Sequence, residues 1–391
     1  NILIAQPLQY LVPDFIQAYY VGGAAAVSGN LDFHELFKSG VDGFVNLPIL
    51  ALVFAPFALL PADISGVLFS LLGLWACVLA FRYLCEIAAL NRYQSAILAV
   101  LMLTNGPLMN SLKEGNTSHF TLLALAWGFA NIRKGGTVFT GAVLAVAALF
   151  KLPLLLFGVW ALLRGHFRVA LGGAGTLVCI VLLSILLFGM EAHKLWFDSV
   201  VVASSANPLG AFNVQSFSAA LIRGASPYAL CLWEGVELDP VWRRLASVLA
   251  MGLLGMSALV CAIASKRSKA DPDTAMQVEF SMVALLACTT SPLAWSHYYA
   301  WVLLPIAFAL SNRWGGLLFG DGIPGRRAWI WAPIILVSLP VVWPVCRPTG
   351  PLAEVYLVFM SHYLIGAVGL LFILGILRLS PYRKAPGSEN A

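Results

Sequence analysis

Apolar residues gather in runs at 48–60, 63–82, 94–104, 118–131, 136–150, 152–163, 169–188, 243–264, 276–290, 298–310, 328–344 and 354–378. A straight helix needs about 20 such residues to cross a bilayer, and several runs fall short of that. Pro48, Pro56, Pro107, Pro153 and Pro305 start or interrupt them. Proline removes a backbone donor and its ring blocks the preceding turn. Broken backbone is tolerated at membrane depth only beside protein or a water-filled cavity. The pattern therefore predicts an all-α, polytopic transmembrane bundle of about ten to thirteen segments around an internal cavity. The chain reads as a single integral membrane domain over 1–391.

Polar segments fill the intervals. The first, 12–47, holds Asp14, Asp32, His34, Glu35, Lys38 and Asp42, and glycines break it into short pieces. Residues 18–27 fit a short helix lying along the interface. Ahead of it, the apolar stretch 1–11 is too short to span and reads as the outer end of a helix that starts upstream. A second long polar segment covers 189–241. The end, 381–391, reads as a loose polar tail.

Composition sharpens this picture. Hydrophobic residues make up 60% of the chain and charged residues 10%, against about 25% charged in an ordinary soluble domain. Too few charges remain to cover a soluble surface. Twelve Trp and eleven Tyr suit a protein with two headgroup interfaces. The net charge of +5 sits in short clusters between apolar runs rather than in one stripe, which argues against a nucleic-acid partner. The clusters are Arg133–Lys134, Arg164–Arg168, Lys266–Arg267–Lys269, Arg313 with Arg326–Arg327, and Arg378 with Arg383–Lys384. Placed in the cytoplasm by the positive-inside rule, they leave 12–47, about 105–117, 189–241, 291–297 and 345–353 outside. The scheme needs 136–163 to form a short hairpin or re-entrant pair with Lys151 at its tip. It makes 381–391 a cytoplasmic tail.

Seven cysteines show no CxxC or Cys/His metal spacing. Cys231 and Cys346 fall in outer loops where they could pair, and the simpler reading is two free thiols. There is no Walker loop, no dinucleotide fingerprint and no internal repeat.

The candidate chemistry lies where polar residues break the apolar pattern, at the outer ends of helices. Asp14 follows Pro13 and fits either a helix N-cap or a general base beside aromatic rings. In Lys113-Glu114-Gly115-Asn116-Thr117-Ser118-His119, Asn116 or Thr117 could cap the next helix, or the turn could bind sugar or phosphate. Lys151, alone in a long apolar stretch before Pro153, is a snorkelling lysine or a cavity cation that meets phosphate. Asn213 and Gln215 suit carbohydrate hydrogen bonding or an ordinary polar loop. Trp295, His297 and Tyr298 crowd one short turn, where His297 could bond phosphate or belong to an aromatic belt. His362 has only the structural reading.

Taken in order, these stretches resemble glycosyltransferase family 87. The pieces are Asp14-Phe15 with Tyr19-Tyr20, Phe44-Val45-Asn46-Leu47-Pro48, Glu114-Gly115-Asn116, Phe150-Lys151-Leu152-Pro153, Asn213-Val214-Gln215-Ser216, and Ser291-Pro292 with Trp295 and His297-Tyr298. The resemblance implies a GT-C membrane fold in a bacterial inner membrane, with its active site facing outward. It implies a polyprenyl-phosphate-linked sugar donor, mannose or another hexose or pentose, and a lipid or glycan acceptor. By it Asp14 is the catalytic carboxylate. Lys151 and His297 would meet the donor phosphate, and Tyr19, Tyr20, Glu114, Asn116, Asn213, Gln215, Trp295 and Tyr298 would line the substrates. Where the family has Gln before Gly-Asn this chain has Glu114, and Tyr298 stands where a second His is common. No cofactor is expected, although Asp32, Glu35 and Glu114 leave a metal-assisted version open. Two other classes remain. One is a transporter or flippase for a lipid-linked saccharide. The other is a ligase or acyltransferase, for which Arg223, Arg243, Arg244 and Arg347 are the only outer arginines.

Overall fold

The computed structural model describes residues 12–29, 31–38, 43–267, 271–311, 314 and 326–379. The stretch 1–11, Asp42, Lys269, Arg313, Arg383, Lys384 and the tail 381–391 lie outside them. The described chain is helical, with one isolated bridge between Val214 and Trp295 and no strand.

Four helices among the described residues are long and apolar enough to cross a membrane, or up to five if Arg92–Thr104 and Gly106–Glu114 make one bent span. Four shorter apolar helices accompany them. The proline pattern anticipated this: several expected segments are short or broken pieces. The chain falls into two compact units, described in turn. The first takes 1–80, 108–209 and 232–238, and the second 81–107, 210–231 and 239–391.

The first unit starts with a π-helical turn, Phe15–Tyr20, that runs into α1 (Val21–Ser28), followed by α2 (Phe33–Lys38), α3 (Leu50–Ala58) and α4 (Ala62–Ile87), whose end passes into the second unit. Gly23 lies against the α3 backbone at Phe54, so a Cβ there would sit 2.5 Å from its carbonyl oxygen. Phe15 stacks on Phe69 at 4.3 Å and Tyr19 on Phe54 at 4.6 Å. These rings close an aromatic core under the first turn. After α5 (Arg92–Thr104) in the second unit come α6 (Gly106–Glu114), α7 (Ser118–Arg133), α8 (Val138–Phe150), a 3₁₀ turn (Leu152–Leu155), α9 (Leu156–Leu163), α10 (Phe167–Trp196) and α11 (Ala203–Ala206).

Helices α8 and α10 begin at the same end. Gly141 packs on the backbone of Val169 and Gly173, and Gly172 packs on Val138. Further along, Leu149 shares a core cluster with Leu177, Ile180 and Val181. The chain therefore runs out along α8, turns at Lys151–Pro153, and returns through α9 before α10 starts. This is the expected hairpin with Lys151 at its tip. Pro153 cannot continue the helix and biases Leu152 away from helical geometry, and Lys151 has left it already at φ −141°, ψ 86°. Both basic pairs of this unit, Arg133–Lys134 and Arg164–Arg168, sit at the opposite end from Lys151.

The second unit holds α5, α12 (Phe217–Ala225), α13 (Pro240–Arg267), α14 (Pro272–Thr289), a 3₁₀ turn (Ser296–Val302), α15 (Leu303–Leu310), α16 (Arg326–Ser338), α17 (Ala353–Phe359) and α18 (His362–Leu379). Its core is α14, buried from Gln277 to Thr289, packed on α18. Two expectations need correction here. Cys231 and Cys346 are not free thiols but a disulfide, with Cα atoms 5.4 Å apart. Spacing along the chain could not reveal this, because 115 residues separate them. Arg378 is not an exposed loop charge either. It is buried and bonds Glu279 at 2.8 Å. An arginine in a protein interior needs such a partner.

Candidate functional site

The polar end of the first unit is built around the turn between α6 and α7. Gly115 adopts φ +68°, and a Cβ there would lie 2.7 Å from Val12 Cβ and 2.8 Å from Phe15 Cβ. Glycine allows both the left-handed backbone and the close approach. That approach brings Asn116 to the start of the chain, where its Nδ2 donates to Asp14 Oδ2 at 2.7 Å. The amide cannot flip without loss, since its Oδ1 already accepts from Thr117 N at 2.8 Å and Ser118 Oγ at 3.3 Å.

Asp14 precedes the π turn with helical angles and makes no side-chain cap bond. The cap reading of this residue is therefore corrected: its carboxylate serves a partner 102 residues away instead of its own helix. Tyr19, one turn on, is buried beside Asp14 and Thr117. Lys151 is 5% exposed and lies within electrostatic reach of Asp14 and of His119. A lysine buried in an apolar helical layer belongs to a site more often than to a surface. Its side chain is buried rather than stretched along an exposed surface.

An apolar groove of about 430 Å³ leads away from these groups. Thr117 and Phe150, the neighbours of Asn116 and Lys151, lie at its polar end. It continues between α3 and α4 on one side and α7 and α8 on the other, past Phe120, Ala124, Val143 and Phe139. From 139 to 150 it follows α8 for about 17 Å at 1.5 Å per residue. Phe139 is 67% and Val53 50% exposed, so the groove opens sideways.

Other expected site residues of this unit lie elsewhere. Tyr20 donates to the Leu60 carbonyl at 2.9 Å, tying the first turn to the α3–α4 connection. Glu114 pairs with Lys113 at 3.5 Å. His119 was read only as part of a turn, yet it is buried, with Nδ1 2.9 Å from Ser111 Oγ and its ring against Phe120. Its place in the first turn of α7, three residues beyond Asn116, was the available signal.

In the second unit two loops lie side by side. Ser296 N donates to Asn213 O at 2.7 Å, Gln215 N donates to Ala294 O at 2.6 Å, and Val214 bridges Trp295. Asn213, Gln215, Trp295, His297 and Tyr298 are thus neighbours in space. His297 is buried in the 3₁₀ turn, its ring nearly parallel to Trp295 at 6.2 Å, while Tyr298 stacks on Trp301. Gln215 acts as a clamp: its Nε2 donates to the Phe212 and Met360 carbonyls, each at 2.7 Å. Arg223 is buried completely and is spent on scaffolding. It donates to the carbonyls of Gly210, Ala211 and Val214 and to Ser361 Oγ, at 2.8 to 3.2 Å. The ligase reading therefore loses this arginine. Among the described residues no three His, Cys, Asp or Glu side chains are grouped to hold a metal ion.

The chain is similar to known proteins over most of its length. The chain is 22% identical over 361 residues to the polyprenol-phosphate-mannose-dependent alpha-(1-2)-phosphatidylinositol pentamannoside mannosyltransferase of Mycolicibacterium smegmatis, covering 89% of this chain and 82% of the relative. The protein of the same description from Mycobacterium tuberculosis is 23% identical, covering 87% and 78%. No solved structure matches. The model of glycosyltransferase family 87 matches residues 44–292, a stretch that includes Asn116, Lys151, Asn213 and Gln215, begins after Asp14 and ends before Trp295. That match covers more than half of the chain, and the chain belongs to glycosyltransferase family 87: it is a membrane-embedded glycosyltransferase.

Proposed function

We propose that the enzyme moves a sugar, mannose or a close relative, from a polyprenyl-phosphate donor to a lipid or glycan acceptor on the outer side of a bacterial inner membrane. The observation that carries this reading is one constellation: a carboxylate held by Asn116, a buried lysine within its reach, and an apolar groove beginning beside both. A polyprenyl phosphate has the matching parts, an anion joined to a long apolar tail.

In the proposed reaction Asp14 takes the proton of an acceptor hydroxyl as its oxygen attacks the anomeric carbon. The new glycosidic C–O bond forms as the C–O bond to phosphate breaks. The electron pair leaves with the polyprenyl phosphate, whose charge Lys151 meets. One displacement by one base inverts the anomeric centre. Asn116 aims the carboxylate and shields it from rotation. The positive charge comes from the protein, so transfer is expected to continue in EDTA.

Sidedness is supported within each unit. In the first, the polar cluster lies at the end of α7 and α8 remote from Arg133, Lys134 and Arg164, which the positive-inside rule assigns to the cytoplasm. In the second, a disulfide suits an oxidising compartment. The family assignment leaves the transporter reading without support.

The test is transfer of radiolabelled sugar from a polyprenyl-phosphate donor in membranes carrying wild-type protein or Asp14→Asn. Loss of transfer at equal protein level is expected. Wild-type rates in the variant would remove Asp14 as the base.

A further inference from the structure

The end of the second unit that carries Asn213 and the Trp295 turn has a second feature, outside the groups used above. Arg347 lays its guanidinium over the Tyr228 ring, 5.1 Å from the centroid. The Cys231–Cys346 disulfide joins the same two loops, three residues from Tyr228 and one from Arg347. Both side chains are exposed, Tyr228 by 59%. Among the described residues Arg347 has no carboxylate partner. Beside it, Trp343 is 71% exposed and packs edge-on against Phe212 at 5.4 Å, and Phe212 is the residue before Asn213.

We propose that Tyr228 and Arg347 form a docking site for the phosphodiester of an anionic phospholipid, which presents the acceptor to the outer end of the enzyme. The proposal rests on the reading that the acceptor is a lipid. A guanidinium stacked on a ring keeps its N–H edge free and fixed, and that edge fits phosphate oxygens with two parallel bonds. Burying a lone arginine would be costly, but holding one at the headgroup level is not, since anionic lipid supplies the counter-charge. Exposed Trp343 suits the same level, where amphipathic rings settle. Val342 and Val345, 59% and 62% exposed, give the acyl region an apolar flank. Through Phe212 the patch is continuous with the Asn213 loop. A lipid bound by its phosphate there would extend its sugar toward that loop.

The test is equilibrium binding of dioctanoyl phosphatidylinositol to the full-length protein in detergent, with dioctanoylglycerol as the phosphate-free twin and inorganic phosphate as competitor. Arg347→Gln is expected to weaken phosphatidylinositol binding about tenfold, the size of one lost charge-assisted hydrogen bond, and to leave dioctanoylglycerol unchanged. Arg347→Lys should fall between, keeping charge but losing the flat fork. Tyr228→Leu, which keeps the charge and removes the ring, should weaken phosphatidylinositol several-fold as well. Unchanged phosphatidylinositol binding in both Arg347→Gln and Tyr228→Leu overturns the proposal. So does equal weakening of the two lipids, which would mark an apolar belt, and so does full displacement by inorganic phosphate at the lipid's own affinity. Counting free thiols confirms that each variant keeps the disulfide. The Asp14→Asn transfer assay separates this result from the proposed function: transfer that survives Asp14→Asn sinks the base assignment and leaves the lipid measurement standing.

Discussion

The turn at Asn116 and the loop pair at Asn213 and Trp295 look alike in sequence, each a short polar interruption between apolar helices. In the folded chain their polar atoms go to different places. Asn116 spends one end of its amide on its own turn and offers the other to a carboxylate from a distant helix. Lys151 joins them from a broken helix, at the head of an apolar groove. Gln215 instead spends its Nε2 on two backbone carbonyls, and Arg223 turns Nη1 to three carbonyls and Nη2 to Ser361 Oγ. In a membrane protein, backbone that leaves a helix must be satisfied by protein, and the second unit uses its amide and guanidinium for that. The comparison teaches that a polar residue at membrane depth stays available for chemistry when its partners are other side chains beside a cavity. It is scaffolding when its partners are the main chain.

The contrast breaks or sharpens under substitution. The largest effect is expected at Asp14→Asn, about 10²- to 10⁴-fold in transfer rate, the usual worth of a general base, with the thermal midpoint unchanged. Lys151→Met should follow, at about 10²- to 10³-fold in kcat, the range for losing one group that stabilises developing charge. Radiolabelled transfer at saturating donor measures both.

Arg223→Met should behave in the opposite way. It orphans several buried carbonyls, at a cost on the order of 3 kcal/mol, read as a lower midpoint in thermal unfolding, while the protein that remains folded keeps its donor KM. A stable Arg223→Met enzyme with lost kcat would erase the distinction between the two regions. The smallest effect is expected from Val143→Trp, which fills the groove. Each buried CH₂ is worth about 0.8 kcal/mol, so loss of a few contacts should raise KM several-fold for a long-chain donor and leave a donor with one isoprenyl unit unaffected. Equal KM changes for both chain lengths would show that the tail lies elsewhere.

Much of the fold was legible. Hydropathy and proline positions announced helices that break at Pro153, and the basic pairs set the ends of α7, α9 and α10. Motif order named the family. The hairpin at Lys151 followed from charge alone, because both flanking basic pairs had to face one side. Other features were illegible for reasons of distance. His119 and Ser111 meet only once α6 and α7 are packed. Arg223 looked like a loop arginine because nothing local marks the carbonyls that surround it. Cys231 and Cys346 stood out as outer-loop cysteines that could pair, and only the fold, with Cα atoms 5.4 Å apart, decided that they do. Glu279 and Arg378, 99 residues apart, gave no sign of pairing.

Taken alone, the amino-acid order settled the solvent of this protein, its helical class and its family, because hydropathy, proline and short motifs act over a few residues. Which polar groups meet, and whether they meet each other or the backbone, was left to tertiary packing. Asp14 and Asn116 come together only because Gly115 lets two segments approach to van der Waals distance, and a contact made across 102 residues of chain has no local signature.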